Sequence, residues 1–280
     1  MMSTLKMRSA LDAVALIAAL FIVGHSSLAA QSVGVPNLLY HQFSTPSSPL
    51  PIDDTTVDIQ SFSEQMKYLH DSGFRTLSAS QLVGRLQSGV DLPPNAVSVH
   101  FDDGWRSVLA AVPILKRYHF GATFWLIVEM IGQPGYLTWD EVAQLAKNPE
   151  FEFGSHTMTH PWHDRNDLPT WANRNSMEDQ QQIRWELQES KGALERKLKR
   201  KVDLLAWPKG AYNDRLVEDA VRAGYSGLFT VEWGLTKTGE DPLRIPRSYV
   251  GGPCDLDAFK QILADGHSRQ CLDRASRRER

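Results

Sequence analysis

Cysteine is nearly absent: the 280 residues hold two, Cys254 and Cys271. Two thiols make neither a disulfide scaffold nor a cysteine-based zinc cluster. A positive excess is missing as well. Lysine and arginine number 30 against 33 aspartates and glutamates, a formal charge of −3, so no nucleic-acid partner is expected. Beyond the first 30 residues there is no long apolar run, hence no candidate membrane span in the remainder. Internal repeats, low-complexity blocks and dividing Pro/Gly/Ser-rich linkers are also lacking, which points to a single domain. No Gly-x-Ser-x-Gly elbow occurs, so Ser155 has no nucleophile turn to sit on.

What is present fits a folded protein. Eight Trp, 11 Phe and 7 Tyr can fill a sizeable core and exclude disorder as the main state. At the N-terminus, Lys6 and Arg8 precede an apolar run over residues 13–23. Small residues Ser26, Ser27, Ala29 and Ala30 follow. That is the order of a cleavable secretory signal, with cleavage near Ala29 or Ala30, and the run is short for ~30 Å of hydrocarbon. An uncleaved anchor is the alternative. The expected organisation is a signal peptide over 1–30, one domain over 31–267, and a basic, poorly ordered tail over 268–280. The expected location is secreted or periplasmic. In an oxidising compartment Cys254 and Cys271 either pair or remain two free thiols.

Along the chain, short β-branched or aromatic runs recur at 37–40, 75–77, 96–101, 122–128, 151–153, 202–207 and 226–231. Helical patterns lie between most of them. Ser61-Phe-Ser-Glu64 and Thr138-Trp-Asp-Glu141 read as capping boxes. Residues 179–200 read as one long amphipathic helix striped by Ile183, Leu187, Leu194 and Leu198, and 213–223 and 255–264 as two more. Some seven strand–helix alternations predict an α/β fold with a parallel sheet, open or closed.

The titratable residues fall where such a fold collects function, at the C-terminal ends of strands. His41 follows the first run, Asp102-Asp103-Gly104 the third, Gly154-Ser155-His156 and then His160 the fifth, and Pro208-Lys209-Gly210 the sixth. His-x-x-x-His is ordinary by itself, and Asp-Asp-Gly is a common turn. Together, two imidazoles and one carboxylate are the three protein ligands that a catalytic zinc keeps while leaving a place for water. A second carboxylate beside them can take a proton from that water. The combination implies metal-assisted hydrolysis of an ester or amide. His41 is then a candidate acid for the leaving group. Trp105 and Trp162, next to the Asp and His pairs, either stack on sugar rings or pack in the core. His100 reads as a core histidine, and His70, His119 and His163 as surface.

Phe101-Asp102-Asp103-Gly104, His156-Thr-Met-Thr-His160 and Trp207-Pro208-Lys209-Gly210, in that order, resemble the motifs of polysaccharide deacetylases with the NodB-homology domain, carbohydrate esterase family four. The resemblance runs from about residue 35 to 265. It implies a distorted (β/α)7-type barrel in a single domain and removal of acetyl from N-acetylated amino sugars. It implies Asp102 as general base, and Asp103, His156 and His160 as ligands of one divalent metal. Zinc is the expected metal, with Co, Ni or Fe as alternatives. Pro208, Lys209 and Gly210 would form the oxyanion side, with the Lys209 amide as donor, and Trp105 and Trp162 would meet substrate. Leu39-Tyr40-His41, Phe62 with Gln65-Met66, Tyr68-Leu69 and Leu243-Arg-Ile-Pro-Arg247 look like the branch acting on poly-β-1,6-N-acetylglucosamine of biofilm matrices, which supports His41 as the acid. Ala206 stands where many members carry an arginine that orients the base. Arg247 is the expected substitute, with Arg244 as runner-up. Lys209 replaces a frequent tyrosine, and no late Leu-x-His motif is evident. Deacetylation of peptidoglycan or chitin-type β-1,4 polymers, or a carbohydrate-binding domain without catalysis, are the competing functions.

Overall fold

The structure is a computed structural model that describes residues 34–163 and 165–271. The expected signal peptide therefore lies outside the described residues, as do 272–280. The chain runs β1 (Asn37–Tyr40), β2 (Gln42–Ser44), β3 (Thr56–Asp58), α1 (Ile59–Asp71), β4 (Arg75–Thr76), α2 (Ala79–Ser88), β5 (Ala96–Phe101), α3 (Val112–Tyr118), β6 (Ala122–Leu126), α4 (Trp139–Leu145) and β7 (Phe151–Ser155). It continues through a hairpin of β8 (Trp162–His163) and β9 (Asn166–Asp167), then α5 (Leu168–Arg174), α6 (Met177–Arg184), α7 (Ser190–Leu198), β10 (Leu204–Ala206), α8 (Asp214–Arg222), β11 (Gly227–Phe229), β12 (Ser248–Tyr249) and α9 (Leu256–Asp265).

One parallel sheet carries the order β11-β10-β7-β6-β5-β1-β12, with β4 beside β5. The sheet curls, and a single segment meets both of its ends. Ile245 bridges Phe229 of β11, and three residues later Ser248 and Tyr249 pair with Leu38 and Leu39 of β1. The result is a distorted (β/α)-type barrel, the closed form that the family resemblance implies and the alternation leaves open.

Period-two alternation sorts the side chains. Val97, Val99 and Phe101 of β5 join the cluster formed with Phe62, Met66 and Leu69 of α1, Leu115 of α3 and Phe259 of α9. Leu205 of β10 packs outward with Leu168, Leu187 and Leu216, while Leu204 and Ala206 join Trp125 and Phe229 in an inner cluster. Leu82, Val83 and Leu86 of α2 belong to that inner cluster. Glu152 fixes the start of α2 by accepting from Ser78 Oγ at 2.9 Å and Ser80 N at 3.1 Å.

Three expectations about elements are corrected. Ser61 does not cap α1; Asp58 does, accepting from Gln60 N at 2.8 Å. The earlier start adds Ile59 to the buried stripe of Phe62, Met66 and Leu69. The Thr138 box forms as expected. Residues 179–200 are helical as far as Leu198 but not α-helical throughout. α6 starts at Met177 behind a Ser176/Asp179 box, and a π turn over Trp185–Glu189 separates it from α7. The segment read as tail begins inside the fold. Ser268 and Cys271 are buried, and Cys271 is disulfide-bonded to Cys254, which resolves the open choice for the two thiols.

Candidate metal centre

His41, Asp102-Asp103, His156 and His160, Lys209 and Tyr249 all stand at or just beyond strand C-termini, and together they line one cleft of about 800 Å³. Local alternation puts them there. Tyr40 turns outward, where its hydroxyl donates to Gln65 Oε1 of α1 at 2.9 Å, so His41 falls to the other side. Gly154 lies under the Trp125 ring, and a Cβ there would sit 2.3 Å from it. Only glycine lets that indole fill the barrel below the centre.

The donor atoms of Asp103, His156 and His160 lie within 4.8 Å of one another. His156 Nε2 is 3.4 Å and His160 Nε2 3.9 Å from Asp103 Oδ1. Ligands about 2.1 Å from a tetrahedral zinc are about 3.4 Å apart, so the spacing suits such an ion. His156 Nδ1 is 2.8 Å from the Ala206 carbonyl oxygen. That contact makes Nδ1 the protonated nitrogen and leaves Nε2 for a metal. Asp103 Oδ2 accepts from the Trp105 indole N–H at 2.8 Å, so Oδ1 is the oxygen facing the histidines. The chemistry and spacing of these donors fit a divalent metal.

Four residues of the site have left-handed backbones without being glycine: Asp103 (φ 72°), Thr157 (φ 68°), His160 (φ 59°) and Lys209 (φ 51°). Such conformations cost energy and collect at functional sites. Gly210 continues the Lys209 turn with φ 67°, and a Cβ on it would meet Val231 N at 2.8 Å. Lys209 reaches the cleft wall, whereas Pro208 and Gly210 shape the turn behind it.

Asp102 is held apart from the triad. Arg247 is fully buried. Its Nη1 and Nη2 donate to the two oxygens of Asp102 at 2.6 and 2.9 Å, and its Nε to the Thr230 carbonyl at 2.9 Å. Arg247 thus stands where the missing arginine at Ala206 leaves a need. Arg244 pairs instead with Asp214 and Asp241 at the surface. Burial opposes ionisation of Asp102, but the Arg247 guanidinium and then His156 outweigh it, and the carboxyl lies below its usual range. Asp102 Oδ2 is 3.5 Å from His156 Nε2, adjacent to the donor triad.

Burial is countered at Asp103 by its contact with His156, so that carboxyl is also depressed. Burial lowers His160 to about 4, helped by the neighbouring His156, and keeps the imidazole neutral as a ligand must be. At His156 burial is outweighed by Asp102 and Asp103, and the direction is upward. His100 is the expected core histidine: burial and Arg247 push it to about 3, and its Nδ1 accepts from Trp125 Nε1 at 3.1 Å.

The aromatic residues divide. Trp105 is stacked on Tyr136 with centroids 4.2 Å apart. Trp162 is 44% exposed with Lys209 Nζ 4.0 Å from its ring centroid. His41 lies against Tyr249, centroids 5.1 Å apart. The sequence did not point to Trp125, to Thr55, Thr159 and Tyr249 on the cleft wall, or to Glu186. Glu186 alone left a signal: an acid one position before Leu187, on the stripe running from Ile183 to Leu194.

Comparisons with known proteins agree with this geometry. A family model described as polysaccharide deacetylase matches residues 89–228. YxkH of Bacillus subtilis is 28% identical over 226 residues, 80% of this chain and 74% of its own length. The poly-beta-1,6-N-acetyl-D-glucosamine N-deacetylase of Escherichia coli K12 is 25% identical over 231 residues, 71% of this chain but only 34% of that longer protein. The solved structure of IcaB from Ammonifex degensii superposes with a TM-score of 0.68 at 25% identity, covering 84% of this chain and 97% of that one. With its motifs on the strand ends of one curled sheet, the chain belongs to the polysaccharide deacetylase family and is a hydrolase.

Proposed function

We propose that this chain is an exported, divalent-metal-dependent N-deacetylase of poly-β-1,6-N-acetylglucosamine. The observation that carries the chemistry is the convergence of Asp103, His156 and His160 beside an Asp102 clamped by Arg247. Asp103, His156 and His160 would hold a divalent cation, which would supply Lewis acidity toward the acetyl carbonyl and lower the pKa of a water. Zinc suits the donor set and is redox-inert.

Asp102 is the general base. The arginine fork keeps it ionised and holds Oδ2 3.5 Å from His156 Nε2, so that oxygen can accept the proton of the attacking water. The Lys209 backbone N–H serves as a donor for the oxyanion. His41 is the general acid, giving a proton to the amide nitrogen as the C–N bond breaks. Water is consumed, and acetate and a free amino sugar are released. Trp162 and the Trp105–Tyr136 pair offer aromatic faces along the cleft to the polymer.

The linkage rests on the E. coli relative's name and on the Tyr40-His41 and Leu243–Arg247 segments that resemble that branch. Export rests on the signal-like N-terminus and on the Cys254–Cys271 disulfide, a bond that persists in oxidising compartments. Among the described residues no helix is long and apolar enough to cross a membrane. The domain is proposed to extend to at least Cys271.

Acetate release from β-1,6 and β-1,4 N-acetylglucosamine oligomers, with and without a chelator, tests this. Release from the β-1,6 series that a chelator stops and zinc restores is expected. Release from β-1,4 oligomers alone would reassign the substrate to peptidoglycan or chitin-type polymers. Binding without release would make the chain a carbohydrate-binding domain.

A further inference from the structure

The loop Ser155–His160 has a support outside the donor triad. Glu186 lies in the π turn between α6 and α7 and is 1% exposed. Its Oε2 accepts from the backbone N–H of Met158 and of Thr159, each at 2.9 Å, and its Oε1 accepts from Thr159 Oγ1 at 2.5 Å. All three donors sit between His156 and His160. A second arm comes from the same helix: Ser190 Oγ is 3.1 Å from Ser155 Oγ, which in turn accepts from Thr157 N at 3.1 Å. A π turn adds a residue to a helical turn, and such turns recur at functional sites. Here it brings Glu186 and Ser190 to the loop together.

The loop needs such support. Thr157 and His160 both carry left-handed backbones, which persist only when the surroundings over-determine them. Relaxation of either residue would carry His160 Nε2 away from Asp103. A buried carboxylate is expensive unless its partners are worth the burial, and all three of these partners belong to the ligand-bearing loop.

We propose that Glu186 is a positioning residue that fixes the Thr157–His160 backbone so that both imidazoles address one cation. The inference rests on the reading of Asp103, His156 and His160 as a metal site. It concerns affinity for the metal, not the substrate or the chemical step. The charge matters less than the reach: Gln can present one oxygen to the two amides and its NH2 to the Thr159 hydroxyl, whereas Asp is one methylene too short.

The test is zinc affinity of the purified chain, measured by competition with a chromophoric chelator, alongside thermal melting. Loss of a supporting hydrogen-bond partner typically weakens metal affinity about 10- to 100-fold. That loss is expected for Glu186→Ala and for Glu186→Asp, with Glu186→Gln within about threefold of wild type. Leu194→Ala, a buried deletion on α7, is the control: it should lower the melting temperature and leave zinc affinity unchanged. A role confined to stability would make Glu186→Ala behave like Leu194→Ala, and that result overturns the inference. If Glu186→Ala does not fold, Glu186→Asp decides, and wild-type zinc affinity in it overturns the inference alone. A wild-type chain that binds no zinc overturns the metal-site reading as well, because nothing is then left to position.

Discussion

At the scale of single residues, the chain differs from its family's common pattern by where it keeps its cation. Ala206 is too small to reach Asp102, and its carbonyl instead orients His156. Arg247 enters from the segment that closes the sheet and makes a two-pronged contact with Asp102 inside the barrel. Replacing it isolates a buried carboxylate. Arg247→Met should cost about 3–5 kcal/mol of stability, because the uncompensated charge outweighs any gain from an apolar side chain of similar length. Arg247→Lys keeps a charge but loses the fork and the Thr230 bond, so it should fold and turn over slowly. Urea unfolding and acetate release check the two halves, and an Arg247→Met chain as stable as wild type would show that Asp102 is not held as an ion. Most of this site was legible beforehand. His41 and Asp102-Asp103 directly follow apolar runs, His156 and His160 come soon after another, and strand ends are where a parallel α/β sheet gathers function. Arg247 was legible by need, since the resemblance implies a cation beside Asp102 and Ala206 denies one. Trp125 was not, because nothing local marks it, and Glu186 left only its place on a helical stripe, because its partners lie across the fold.

At the scale of elements, caps and competing starts decide what the sequence shows. Both Ser61 and Asp58 offer a cap for α1, and the earlier one wins because it brings Ile59 into the buried stripe. The stripe over 179–200 hid the π turn, since apolar spacing reports the buried face and not the hydrogen-bond register behind it. Asp179 shows how a cap links to pH. Its hydrogen bonds with Arg174 and then Ser176 lower its pKa to about 2. A carboxyl that ionises more readily folded than unfolded stabilises the fold at pH values above about 4, its unfolded value, and that contribution fades as pH falls toward 2. Asp179→Asn should therefore melt below wild type at pH 7, and the gap should narrow between about pH 4 and 2. Melting curves across that range check it, and a gap independent of pH would mean that the Ser176 box alone, without charge, carries the cap.

At the scale of the molecule, stability and site meet at the seam of the barrel. The alternation of strands and helices made the fold class readable, but the closure was not, because β12 has only two residues and Ile245 joins β11 through a single bridge. The segment that closes the sheet also delivers Arg247 and Tyr249 to the cleft. The chain then turns through Gly251 and Gly252, whose amides donate to Cys271 O at 3.2 Å and Asp53 O at 2.8 Å. Cys271 is in turn bonded to Cys254, 17 residues earlier. The disulfide thus ties the last described residues to the exit of the seam, beside the Asp54–Thr55 stretch that lines the cleft. A crosslink over a loop of that length restricts the unfolded chain by about 3 kcal/mol. For a domain of this size that corresponds to a fall of about 6–12 °C in melting temperature on reduction. Calorimetry of the oxidised chain, the reduced chain and a Cys254→Ser/Cys271→Ser double variant should give one high and two matching lower transitions. Zinc affinity should be the same in all three, because Asp103, His156 and His160 lie on β5 and β7 and their following loops, away from the crosslinked segment. Equal melting temperatures would mean that Gly251, Ser268 and α9 hold the C-terminal segment without the bond, and a loss of zinc affinity on reduction would mean that the seam supports the metal ligands as well as Arg247.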